Sequence, residues 1–330
     1  MRLATYLDPA GTRRAGVVVE DRVFALPGDT TVEQLVERGL SAALEMGARA
    51  VTGEGTALAG VRLQVPLRPA SIRDFVTFEE HVEGVRRSID RSSGVPDAWY
   101  DAPTFYFTNP HALVAADEEV AFPARSVARD LELEVAVVVQ GEGRSLDEAA
   151  ARDHVFGYTL MNDWSARDLQ AREMQVGLGP AKGKDFATSL GPWLVTADEL
   201  EDRRDPGGFL DLACRVLVNG DVIGEDRLAH MGWTFEAMIA HASRDSRVVA
   251  GDVMGSGTTG HGGCLAELWG RHGRQDPPPL RDGDVVTLEV EGLGRLSNRV
   301  TSAPASPAAP AVSRRTPAER DAARTASVPS

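Results

Sequence analysis

Cysteine is nearly absent: Cys214 and Cys264 are the only two in 330 residues. Neither has a C-x-x-C partner. A disulfide framework and a thiolate metal site are thereby excluded, and a reducing cytoplasm is the expected location. Basic charge is also scarce. With 35 Lys and Arg against 49 Asp and Glu, the formal net charge is −14, and no basic cluster interrupts it, which speaks against a nucleic-acid partner. No apolar run approaches the roughly 20 residues of a membrane span. The start, MRLATYLDPAG, lacks the apolar centre of a secretory signal. What remains is an acidic, soluble, globular chain, 42% hydrophobic and large enough for a substantial core.

Residues 1–69 read as a small β-rich N-terminal domain. LATYL and AGVVVEDRVFALPG are strand-like runs. The stretch after them carries Val32, Leu35, Val36, Leu40 and Leu44 as one helical stripe, with Thr30 and Glu33 as a capping box. Residues 70–301 form the main domain, where strand-like runs dominate: ELEVAVVV, FGYTLMNDWS, GPWLVT, ACRVLVNGDVIGED and DVVTLEVEGLG. Asn219-Gly220 between two of them predicts a hairpin. Few helical stretches intervene, so the expected class is α+β and strand-rich, not alternating βαβ. Residues 302–330 are rich in Ala, Pro and Ser and are expected to be disordered.

Chemistry concentrates in a few acidic and glycine-rich segments. In DLELEVAVVV, Asp130, Glu132 and Glu134 fall on one face of a strand. Carboxylates two apart lie roughly 6.5 to 7 Å from each other and suit convergence on a hard cation with oxygen ligands at about 2.0 to 2.6 Å. Read alone, the same pattern is a solvated acidic edge. Asp163, in LMNDWSARDLQ, ends an apolar strand at a polar turn, where a scaffold fixes a carboxylate beside open solvent. Arg167 and Gln170 follow one helical turn apart. GLGPAKGKDF offers Lys182 and Lys184 to an anion but does not match a phosphate loop. Upstream, Asp74 and His81 lie in RDFVTFEEH, where the histidine is either a general base or structural. Downstream, GSGTTGHGGCLAELW supplies backbone amides, Thr258, a loop His261 and Glu267 among apolar neighbours.

Taken in order, DFVTFEEH, PTFYFTNP, DLELEVAVV, GYTLMNDWSARDLQ, LGPAKGKDF, GPWLVT, GSGTTG and LAELW resemble the fumarylacetoacetate hydrolase family. The resemblance implies a mixed β-sandwich or β-roll catalytic domain behind a small β-rich appendage. It also implies a metal held by Glu132, Glu134, Asp163 and Asp74, with Mg2+ as the usual ion and Ca2+ or Mn2+ as substitutes. His81 is then the general base on water, oriented by Glu267. The H-x-x-E spacing of smaller members is missing because Gly84 stands there, and Glu83 is one residue out of register. Lys184 is implied in catalysis. Arg167, Gln170, Tyr106 and Thr258 are implied in contacts with substrate oxygens. Val76 stands where the mammalian enzyme has an aromatic residue, and Arg86 and Arg87 are near, but not at, its substrate arginine.

The activity implied is metal-dependent hydrolysis of a C–C bond in a β-diketo acid, an acylpyruvate or a fumarylacetoacetate-like compound. His/Glu-activated water would attack a polarised carbonyl, and the departing carbanion would be a metal-bound enolate. The same ligands also suit a 2-oxo acid decarboxylase, hydratase or tautomerase. A silent binding or scaffold member would be expected to lack a ligand or the dyad. The family further implies a homodimer acting on a small diketo or 2-oxo acid.

Overall fold

The computed structural model describes residues 1–89, 91–307 and 316–326. Its architecture is α+β and strand-rich. A mixed twelve-stranded sheet packs against a five-stranded one. At the centre of the large sheet, Leu133–Val139 pairs with Val155–Asp163 on one side and Val253–Gly255 on the other. Every residue of Leu133–Val139 and Val155–Asp163 is buried. The reason lies in strand alternation. Val135, Val137 and Val139 face the five-stranded sheet, while Ala136 and Val138 face the first two helices. With both faces covered, the run is buried throughout, and it is apolar apart from Glu134.

The N-terminal strands do not make a separate sheet. Arg2–Leu7 pairs with Thr188–Thr196, Arg2 opposite Val195, so the β-rich appendage continues the large sheet. Leu3 and Val17 share one core with Ala136, Val138 and Phe156. Joining edge to edge leaves fewer unpaired backbone groups than two separate sheets would. The expected single helix after residue 30 is split into Val32–Arg38 and Leu40–Ala50. Gly39, at φ 89°, breaks it, and Thr31 with Gln34 forms the capping box in place of Thr30 and Glu33. The Asn219-Gly220 hairpin forms as expected, both residues with positive φ.

Within the segment expected to be disordered, Pro317–Ala326 is instead an exposed helix. Its start is capped by Thr316, whose amide donates to Glu319 and whose Oγ1 accepts from the Glu319 amide. Residues 308–315 and 327–330 lie outside the described residues. Among the described residues, no helix is long and apolar enough to cross a membrane.

Candidate active site

Five neighbouring strands of the large sheet deliver the site. In spatial order they are Val155–Asp163, Leu133–Val139, Val253–Gly255, Ile72–Phe75 and Phe105–Thr108. Their registers place Asp163, Glu134, Gly255, Asp74 and Tyr106 together, with Gly255 opposite Asp74 and Asp74 opposite Tyr106. Glu134 and Asp74 meet across the glycine. A Cβ on Gly255 would stand 2.5 Å from Glu134 Oε2 and 2.9 Å from Asp74 Oδ1, so only glycine leaves that space. Glu132 sits just before its strand, and its amide donates to Asn162 Oδ1 at 2.8 Å.

Four buried carboxylates result: Asp74, Glu132, Glu134 and Asp163. Two buried cations face them. Lys184 donates to both Glu132 and Asp163, and the Tyr106 hydroxyl donates to Asp163. Arg167 gives Nη2 to Glu132 Oε1 at 2.6 Å, Nε to Asp130 Oδ2 at 2.8 Å and Nη1 to Gln170 Oε1 at 3.0 Å. Gly183 lets the lysine loop lie flush on the Gln170 backbone, where a Cβ would come within 2.7 Å. Lys182, by contrast, is exposed and paired with Asp185. On the other side, the Gly257 amide donates to Glu134 Oε2 at 3.1 Å and Thr258 Oγ1 lies 3.5 Å from Glu134 Oε1.

The charges divide unevenly. Burial raises the Glu132 carboxyl, but Arg167 and then Lys184 outweigh it and hold the group far below the usual range. Burial pushes Asp74 and Glu134 well above that range, and the neighbouring Asp163 and Asp74, respectively, push further. Neither makes an ion pair among the described residues. Burial also raises Asp163, against the pull of Lys184. Asp130, buried beside Arg167, is a fifth acid against the same two cations, and Asp74 and Glu134, which neither cation pairs, are the acids whose carboxylate forms a divalent ion would stabilise. The nearest oxygens of Asp74, Glu132 and Glu134 lie within 4.8 Å of one another. Asp74 Oδ1 and Asp163 Oδ1 are buried with no hydrogen-bond partner. This oxygen-only donor set fits a hard dication such as Mg2+, Ca2+ or Mn2+.

His81, on the helix Glu79–Ile89, turns Nε2 to within 3.8 Å of Glu132 Oε1. Burial lowers its pKa to about 4; the Glu132 charge opposes this, and Arg167 and Lys184 reinforce it. The ring is therefore neutral near pH 7. Its Nδ1 faces Cys264 Sγ at 3.6 Å, and no hydrogen bond joins it to Glu267 among the described residues. Glu267 accepts instead from the Gly262 amide at 3.2 Å and faces Arg271 at 3.3 Å. The glycine at position 84 has a steric reason: a Cβ there would lie 2.4 Å from Glu267 Cγ, and one on Gly270 would lie 1.9 Å from the Gly84 carbonyl. The two helices cross at these glycines, so the Glu267 side chain occupies the space a residue at 84 would fill.

Two residues behind the site take roles that distant partners define. Asp130 is not a metal-facing acid. It binds Arg167 and accepts from the amides of Leu265 at 2.7 Å and Ala266 at 3.0 Å, at the start of the helix Leu265–His272. A carboxylate there satisfies orphan donors and the helix dipole. Cys264 caps the same helix through Sγ, which accepts from the Glu267 amide at 3.4 Å.

A family model described as fumarylacetoacetate (FAA) hydrolase, C-terminal, matches residues 70–301. The mitochondrial oxaloacetate tautomerase of Xenopus laevis is 36% identical over 191 residues, covering 57% of this chain and 55% of that protein. The chain thus spans about half the length of that relative. The solved fumarylacetoacetate hydrolase of psychrophilic Exiguobacterium antarcticum superposes with a TM-score of 0.71 at 25% identity, over 92% of this chain and all of that one. A maleylpyruvate hydrolase from Sphingobium, solved with manganese(II) and pyruvate, shares the fold at a TM-score of 0.67 and 24% identity, over 92% and 99% of the two chains.

Proposed function

The chain belongs to the fumarylacetoacetate hydrolase family, and from that premise we propose a divalent-metal-dependent hydrolase that cleaves a C–C bond in an acylpyruvate or related β-diketo acid. The observation that carries this reading is the neutral, buried His81 held 3.8 Å from a carboxylate cluster that is short of positive charge. Asp74, Glu132, Glu134 and Asp163 would hold Mg2+, with Ca2+ or Mn2+ as alternatives. When bound there, the ion supplies Lewis-acid polarisation of a chelated dicarbonyl.

The chain's own groups do the rest. His81 Nε2 accepts a proton from water, because burial keeps the ring unprotonated. The hydroxide attacks the carbonyl, the C–C bond breaks, and the electron pair delocalises as an enolate that is then protonated at carbon. Lys184, kept charged by Asp163 and Glu132 against its burial, stabilises the developing negative charge. Tyr106, whose hydroxyl burial keeps protonated, and Thr258 stand as hydrogen-bond donors to substrate oxygens. Arg167 is already engaged by two carboxylates, so its part is to position Gln170 and Glu132. Glu267 enters as a positioning residue behind Cys264. A cavity of about 360 Å³ beside His81, lined by Val76, Val82, Val85, Arg86 and Trp99, takes the acyl end of the substrate.

A second reading is tautomerisation of a 2-oxo acid such as oxaloacetate. It is favoured by the absent His81–Glu267 hydrogen bond and by the tautomerase relative. The deciding experiment incubates the Mg2+-loaded protein with acylpyruvates, fumarylacetoacetate-like diketo acids and oxaloacetate. Cleavage products found by mass spectrometry support hydrolysis; enol–keto interconversion without a mass change supports the second reading. A cytoplasmic homodimer completes the proposal, the two free, buried cysteines supporting that location.

A further inference from the structure

A second group of ligand-type side chains lies outside the carboxylate centre. Asp226 lies next to last in the strand Asp221–Arg227, with its side chain only 1% exposed. Its Oδ1 lies 2.5 Å from His230 Nδ1 and 3.5 Å from His261 Nδ1. Its Oδ2 is buried without a hydrogen-bond partner. An unpaired buried carboxylate oxygen is costly, and nothing in the fumarylacetoacetate-type chemistry uses it.

The space beside that oxygen is made by a glycine. A Cβ on Gly260 would lie 3.0 Å from Asp226 Oδ2, 2.9 Å from Glu80 Cβ and 3.4 Å from Glu80 Oε2. Gly260 has no positive φ, so its glycine serves room and not backbone conformation. The loop is seated on the strand by a second close approach, where a Cβ on Gly224 would fall 2.2 Å from the Gly262 carbonyl. The ligand atoms of Asp226, His230 and His261 all lie within 4.8 Å of one another.

We propose that Asp226, His230 and His261 form a second metal site, suited to a borderline transition-metal dication such as Zn2+ and separate from the oxygen-lined centre. Imidazole nitrogen selects Zn2+, Ni2+ or Cu2+ over Mg2+. Tetrahedral coordination at about 2.0 to 2.1 Å sets donors roughly 3.4 Å apart. The His261–Asp226 separation already matches, and the His230 ring needs only to swing outward or to be met through Oδ2. The imidazole side chains are 50% and 45% exposed, which provides an entry path and room for a water ligand. An ion here ties His261 to the strand, and with it the loop whose Gly257 amide holds Glu134.

The test uses the full chain, stripped with chelator and saturated with Mg2+, into which Zn2+ is titrated by calorimetry. One Zn2+ per chain is expected despite saturating Mg2+. The affinity should fall on the order of 10- to 100-fold or more in His230→Gln combined with His261→Asn, Asn being chosen because position 261 has φ 55°. Glu134→Gln should leave it unchanged. Zinc binding that Mg2+ abolishes, that survives the double substitution, or that Glu134→Gln removes overturns the proposal. Should the double variant not fold, zinc-edge X-ray absorption on the unsubstituted protein decides: imidazole scattering supports the site, and an all-oxygen shell refutes it.

Discussion

The two acidic clusters touched by the loop 256–264 handle charge in opposite ways. At the sheet ends, four carboxylates are buried with two cations, and Asp74 and Glu134 have no countercharge of their own. At Asp226, one carboxylate is buried under two half-exposed imidazoles. The first cluster offers a cation buried carboxylate oxygens, which suit a hard ion. The second offers nitrogen and an opening to solvent, so it selects by ligand type. Burial sets the strength of the demand for a cation, and donor chemistry sets which cation answers it.

The largest effect expected from any substitution is at Glu132. Replacing it by Ala leaves Arg167 and Lys184 without a shared partner, and breaking a buried pair costs about 3 to 5 kcal/mol. Denaturant unfolding should register that loss, and calorimetry should find Mg2+ binding gone. Retained Mg2+ affinity would break the contrast between the clusters. Next in size is His81→Ala, which should lower kcat on an acylpyruvate by about 10²- to 10⁴-fold while Mg2+ affinity stays within about twofold. Equal loss of both would assign His81 to the ion and not to water.

How much of this was readable follows from whether the information is local. Glu132 and Glu134 were legible because strand alternation is a two-residue rule, and Asp163 because an apolar run stops there. That Asp74 and Glu134 meet over Gly255 depends on the register of three strands far apart in sequence, which no window contains. Asp130 had no ligand role in the family pattern, and its actual partners, Arg167 and the amides of Leu265 and Ala266 at a distant helix start, lie outside any sequence window. The family pattern led to a His81–Glu267 contact; the Gly84–Gly270 crossing seats Glu267 on Gly262 instead. In the N-terminal segment, Gly39 was hidden within an unbroken apolar stripe, although only its φ of 89° decides that there are two helices.

The comparison also predicts a pH dependence for the metal-free protein. Asp74 and Glu134 titrate well above the usual carboxylate range when folded, so the folded chain holds protons that the unfolded chain has released. Their contribution is present in full below the unfolded pKa of about 4 and is lost as pH rises through the folded values. His81, held at about 4 by burial, works the other way between about pH 4 and 6.5, so in chelator the fall in melting temperature should be read above about pH 6.5, where the histidine no longer titrates. Mg2+ at a hundredfold excess over its Kd should restore about 2.7 kcal/mol, and Zn2+ bound at Asp226 should not remove the slope. A metal-free melting temperature that climbs over this interval would overturn the charge deficit.

The smallest effect sharpens the contrast most, because it should touch one cluster alone. Gly260→Ala places a methyl group 3.0 Å from Asp226 Oδ2 and against Glu80. The 2.9 Å contact is to Glu80 Cβ, which is fixed to the helix backbone, so the loop must shift and the stability cost should be about 1 to 3 kcal/mol. The methyl group occupies the space beside the unpaired oxygen, so Zn2+ affinity should drop while Mg2+ affinity and turnover hold. If turnover fell in step with Zn2+ affinity, the loop would be transmitting the Asp226 site to Glu134 through Gly257, and the two clusters would be one coupled system.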